Sequence, residues 1–118
     1  MALPRDGKLL RIFIGESDKH EGKPLYEWIV RQARGRSLAG ATVCRGIEGF
    51  GRASRIHSAK ILRLSEDLPI IIEIVDVAEK IDSFIKLIDP VIDGGLITVE
   101  NVHVRLYRSE KANKKTTS

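Results

Sequence analysis

The residues best suited to chemistry lie in one stretch, Arg45-Gly46-Ile47-Glu48-Gly49-Phe50-Gly51-Arg52. Its glycines let backbone N–H groups turn toward a ligand without obstruction from Cβ, which is how concave main-chain nests hold phosphate oxygens. Arginines at both ends add guanidinium forks that can grip a phosphate through two parallel hydrogen bonds. The positive charge continues past the stretch: Arg45, Arg52, Arg55 and Lys60 stand against Glu48 alone, with His57 among them. An anion site is one reading, and a solvated basic loop is the other. The glycine spacing matches neither G-x-G-x-x-G nor the P-loop with its Gly-Lys-Ser/Thr ending. On spacing alone the segment fits a plain hairpin loop as well as a nucleotide cradle.

Few other residues compete with it. Glu73 interrupts an otherwise apolar run, and a carboxylate inside such a strand calls for a cation, a hydrogen-bonding ligand or water. His57 can contact a phosphate or sense pH, although a solvated loop histidine is the commoner case. His20 and His103 are too scattered to propose a metal site, and no Cys/His cluster has zinc spacing. Cys44, the one cysteine, falls on a strand and reads as a small buried hydrophobe. It has no partner for an internal disulfide. Trp28 shares an apolar stripe with Leu25 and Ile29 and reads as helix packing. No nucleophile and base occur at a recognisable spacing, so the chain does not read as an enzyme.

Periodicity gives the elements that must position these groups in the order βαββαβ. Leu10, Ile12 and Ile14 alternate with Arg11 and Phe13 as a first strand. Pro24 fits the first turn of a helix in which Leu25, Trp28, Ile29 and Ala33 recur opposite Glu27, Arg31 and Arg34. Residues 41–45 read as a second strand before the glycine loop, and 59–64 are strand-like again. The Ile-rich run from Leu68 to Val75 suits a central strand, with Pro69 at its start, where a lost donor does least harm. Asp76 and Glu79 have capping-box spacing ahead of a second helix carrying Ile81, Phe84, Ile85 and Ile88. Pro90 and Asp93-Gly94-Gly95 stop that helix, and residues 96–107 are extended. The predicted architecture is α+β, a ferredoxin-like sandwich of an antiparallel sheet with two helices on one face. Strands apolar on more than one side leave the uncovered face as an oligomer interface.

At 118 residues the chain is one domain's worth of polypeptide, read as a single domain over 1–108 with a polar basic tail, 109–118, expected to be disordered. A hydrophobic content of 42% and a charged content of 31% belong to a globular protein. No apolar run approaches the roughly 20 residues that span a bilayer, and the start has no secretory h-region, so a cytoplasmic location is expected. The net charge of +4 is uneven: the first sixty residues carry 12 basic and 6 acidic groups, the remainder 8 and 10. The anion-binding potential therefore lies in the first half.

Taken in order, Gly49-Phe50-Gly51-Arg52, His57, Leu68-Pro69-Ile70-Ile71-Ile72-Glu73-Ile74-Val75, Asp93-Gly94-Gly95 and Val104-Arg105-Leu106 resemble the PII signalling proteins. They are more similar still to the uncharacterised PII-like relatives of PII, a domain-of-unknown-function family of the DUF190 type. The likeness runs from about Lys8 to Arg108. It implies a PII-like homotrimer of ferredoxin-like subunits that binds adenine nucleotides in the clefts between subunits, with no required cofactor. It also implies a long loop, here 52–67, that docks on a transporter, channel or enzyme. By the same resemblance Gly49, Phe50 and Gly51 form the base of that loop, with backbone donors near the phosphates, and Arg52 reaches a nucleotide in the neighbouring cleft. Glu73 lies on the strand whose backbone reads the adenine edge, and Arg105 contacts phosphate. Arg45 and His57 join this ligand-binding set from the basic stretch.

Two departures bear on the ligand. Leu96 follows Asp93-Gly94-Gly95 where PII has a phosphate-binding lysine, and Tyr107 stands where PII has a second arginine. Each lost charged hydrogen bond removes on the order of 1.5 to 3 kcal/mol, which favours a ligand with fewer phosphates or another small anion. Residues 52–67 hold no tyrosine, so uridylylation there is not expected. The resemblance implies a nucleotide-sensing regulator. The alternative is an RNA-binding module, because RNA-recognition motifs share the βαββαβ order and a glycine-aromatic signature. That motif needs further aromatics on its sheet, and the chain has only six aromatic residues in all.

Overall fold

The computed structural model of the chain describes residues 6–49, 57–58 and 68–108. Strand β1 (Asp6–Gly15) leads into a hairpin of β2 (Lys19–His20) and β3 (Lys23–Pro24), then helix α1 (Leu25–Gly35). Strand β4 (Thr42–Arg45) is followed by β5 (Glu48–Gly49) and β6 (His57–Ser58), which pair with each other. Strand β7 (Pro69–Asp76), helix α2 (Ala78–Ile88), a 3-10 turn over Asp89–Val91 and strand β8 (Leu96–His103) complete the chain. The four long strands form one antiparallel sheet in the order β4-β7-β1-β8. This is the expected ferredoxin-like arrangement, with the two short hairpins as insertions.

The core follows directly from the two periodicities. Every second residue of the central strands, Leu10, Ile12 and Ile14 on β1 and Ile70, Ile72 and Ile74 on β7, is buried. Against them pack Leu25, Ile29 and Ala33 of α1 and Ile81, Phe84 and Ile88 of α2, at the three- and four-residue spacing of one helix face. Among the described residues no helix lies on the other face of the sheet. Leu9, Phe13, Ile71 and Val75 are half-buried there.

Several expectations change in detail. Pro24 is the residue before the first turn of α1, with φ −58° and ψ 129°, and not a member of that turn. Asp76 and Glu79 do not form a capping box: α2 has Val77 at its N-cap with no side-chain cap, and the Asp76 carboxylate is used elsewhere. The last strand ends at His103, where its pairing with Asp6 runs out, and 104–108 continue without regular structure. Cys44 is exposed and not buried, because β4 is an edge strand whose four residues are all exposed and no helix covers the face shared with Ile71. The strand-like stretch 59–64 and the tail 109–118 lie outside the described residues.

Candidate functional site

The glycine-rich segment is built around Pro69. The Gly46 N–H donates to the Pro69 carbonyl at 2.7 Å. A Cβ on Gly46 would stand 2.8 Å from Pro69 Cγ, and one on Gly49 3.1 Å from the same atom. A side chain at either position would press on the proline ring, harder at Gly46 than at Gly49. The ladder then resumes, Glu48 opposite Ser58 and Gly49 opposite His57, so the base of the connection is a two-stranded ribbon. Part of the docking loop expected over 52–67 is thus strand, at His57–Ser58. Phe50, Gly51, Arg52, Arg55 and Lys60 fall outside the described residues.

Two further features share this end of the sheet. Arg45 Nη2 lies 2.6 Å from Glu16 Oε2, with the arginine side chain 58% exposed, so the guanidinium is paired and still open to solvent. Asp93-Gly94-Gly95 arrives alongside, because Leu96 pairs with Phe13 just as Pro69 pairs with Gly15. A Cβ on Gly95 would sit 2.6 Å from the Phe13 carbonyl oxygen. Only glycine allows that approach.

Arg105 is at the opposite end. Val104 packs close to Gly7, its Cγ2 3.6 Å from where a Cβ on that glycine would be. Two residues past Arg105, the Tyr107 hydroxyl donates to the Ala39 carbonyl at 3.3 Å. The Ala39 N–H in turn donates to Asp76 Oδ2 at 2.8 Å, and the Val77 N–H to Asp76 Oδ1 at 2.7 Å. Asp76 is fully buried, and both its oxygens have backbone donors, which is what a carboxylate without a cation requires. Arg105 itself is exposed.

Glu73 belongs to neither end. It lies midway along β7 on the uncovered face, its side chain 39% exposed, and accepts from Arg11 Nε at 2.9 Å. Arg11 Nη1 also reaches Glu100 Oε1 at 3.4 Å. The hydrogen bond to Glu73 is the main reason the Arg11 pKa lies above the usual arginine value, so the guanidinium is charged at every working pH. The cation that Glu73 called for is supplied by the protein. Register does this: Glu73 and Arg11 are direct cross-strand partners.

The fold therefore brings Arg45, Gly46, Gly49 and Gly95 to one end of the sheet and leaves Arg105 at the other. Pro69 and Asp76, which mark those ends, are seven residues apart on one strand, about 23 Å at about 3.3 Å per residue. Arg11, Glu16, Glu100, Asp76 and the tether role of Tyr107 were not singled out from the sequence as site residues. Each depends on a strand register or a loop contact that no local spacing encodes. Trp28 packs against the core and, edge-on, against His20, with ring centroids 4.7 Å apart. A cavity of about 480 Å³ lies beside β8, where Ile85, Ile92, Ile97 and Val99 meet Asp89 and Asp93. Among the described residues no three His, Cys, Asp or Glu side chains converge as metal ligands, and no helix is long and apolar enough to cross a membrane.

Comparison with known proteins agrees with this fold. Residues 7–104 match the DUF190 family model, described as "Uncharacterized ACR". A UPF0166 protein of Aquifex aeolicus is 44% identical over 97 residues, covering 82% of this chain and 91% of the relative. A UPF0166 protein of Methanocaldococcus jannaschii is 38% identical over 104 residues, covering 87% and 94%. Among solved structures, CPII, a nitrogen regulatory PII-like protein from Thiomonas intermedia K12 bound to ADP, AMP and bicarbonate, superposes with a TM-score of 0.66 at 17% identity, covering 84% of this chain and 88% of that one. CPII bound to ADP and bicarbonate gives 0.65 at 18% identity, covering 87% and 95%. The chain is a member of the DUF190 family, and its fold is similar to that of the PII-like protein CPII.

Proposed function

We propose that this protein is a non-catalytic PII-like regulator that binds an adenine nucleotide, or a similar anionic metabolite, between subunits of a homotrimer. Binding would alter the connection over 52–67, through which the protein docks on a transporter, channel or enzyme. The observation that carries this reading is the separation of the two cationic and glycine-rich groups along the sheet. Gly49 packs on Pro69 and Arg105 follows Val104 at the Asp76 end, with about 23 Å of strand between those ends, so a ligand shared by both groups is better met by one end from each of two subunits. The half-buried apolar residues on the uncovered face supply the surface for such an assembly. The ADP and AMP held by CPII suggest the ligand class. Leu96 and Tyr107, in place of cations, favour few phosphates.

Against the RNA-binding alternative, the described part of the open face carries a single aromatic ring, Phe13, and two carboxylates, Glu73 and Glu100. Both features oppose base stacking on a polyanion. Calorimetry with AMP, ADP and ATP is the direct test. The expected result is one site per subunit, weakened about tenfold or more by Arg105→Ala and by Arg52→Ala, as for loss of a charge-assisted hydrogen bond. Absence of binding to all three nucleotides, with binding to single-stranded RNA, would replace this reading by the alternative. Light scattering at micromolar concentration should give a trimer, and a monomer would refute the intersubunit cleft.

A further inference from the structure

We propose that Asp76 and Tyr107 are positioning residues for Arg105, acting through Ala39, whose N–H is held by Asp76 and whose carbonyl is held by Tyr107. The inference deepens the anion-site reading and rests on it. Arg105 lies on a segment without regular structure, past the last ladder pair of β8, so neither helix nor sheet fixes its backbone. Two contacts bracket it. On the N-terminal side Val104 is seated close to the buried Gly7. On the C-terminal side the Tyr107 hydroxyl donates to the Ala39 carbonyl.

Ala39 is a sound anchor because its other hydrogen-bonding group is also held. Its N–H donates to the carboxylate of Asp76, which is fully buried where β7 gives way to α2. The same carboxylate takes the Val77 N–H, so one side chain joins the α1–β4 connection to the end of a central strand. Lys80 Nζ donates to the Ser37 carbonyl at 3.0 Å and secures that connection from α2 as well. The hydroxyl at position 107 therefore reaches the rigid core through two hydrogen bonds. Position 107 thus carries a neutral tether to the core and not a second cation.

The tether predicts a distinctive coupling. An ordered segment presents the Arg105 guanidinium without losing backbone freedom when the ligand binds. Tyr107→Phe deletes one oxygen, keeps the ring, and should weaken ADP binding about fivefold, the size of one lost neutral hydrogen bond. In an Arg105→Ala background the same substitution should change nothing further, because the hydroxyl acts only through that arginine. Hydrogen exchange of the ligand-free trimer supplies an independent arm. Tyr107→Phe should accelerate exchange of the 104–108 amides severalfold, and Asp76→Asn, which offers an amide N–H₂ where an acceptor is needed, should also expose the Ala39 amide. A Tyr107→Phe effect of equal size with and without Arg105, or unchanged exchange across 104–108, would overturn the proposal. Absence of ADP binding by the wild-type protein would instead overturn the anion-site reading, and the exchange comparison alone then decides the tether.

Discussion

The two ends of the sheet solve one problem, holding an irregular segment still, by opposite means. At the Pro69 end the segments approach until side chains are excluded: Gly46 and Gly49 lie against the proline ring and Gly95 against the Phe13 carbonyl. At the Asp76 end hydrogen bonds do the holding, from Tyr107 to Ala39 and from Ala39 to Asp76. The contrast matches what each end would present. Backbone N–H groups are offered best where Cβ atoms are missing, whereas a long guanidinium needs a fixed root and free space beyond it.

Substitutions that break this contrast should differ in size. Gly95→Ala should be the most damaging, because the added carbon meets a main-chain oxygen in the middle of a paired strand that cannot move aside. A loss of about 3 kcal/mol in urea unfolding is expected, at the upper end for overpacking. Gly46→Ala meets the edge of a proline ring, which can re-pucker, and should lose about 1 to 2 kcal/mol in the same assay. Equal losses for the two would mean that both ends of the contact relax alike. Glu16→Gln should be the mildest: its partner Arg45 is mostly exposed, and such pairs contribute roughly 0.5 kcal/mol or less. That variant should nevertheless raise affinity for ADP slightly, by freeing Arg45, and an unchanged titration would remove Arg45 from the site.

Much of the fold was readable from local pattern. Alternation in Leu10-Ile12-Ile14 and Ile70-Ile72-Ile74 and the three-and-four spacing of Ile81, Phe84 and Ile88 each report burial on one side, because strand and helix geometry are fixed by the backbone. Cys44 was misread because strand residues are buried only if a neighbouring layer covers them, and β4 is an edge. The capping-box spacing of Asp76 was misread for a related reason. The carboxylate serves the neighbouring Val77 N–H and a donor that only the tertiary fold brings to it, Ala39, 37 residues away in the chain. Glu73 was legible as a carboxylate needing a partner, while its partner Arg11 waited on register.

By itself, the sequence determined the two helices and the long strands that carry the core, which of their faces would be apolar, and which residue types could meet an anion. Those properties depend on residues within one or two turns of each other. Tertiary structure alone decided that Gly49 and Arg105 lie at opposite ends of one sheet, that Arg11 neutralises Glu73, and that Tyr107 is moored to the core through Ala39. These depend on strand order and register, which are set by how whole faces pack and not by any residue's near neighbours.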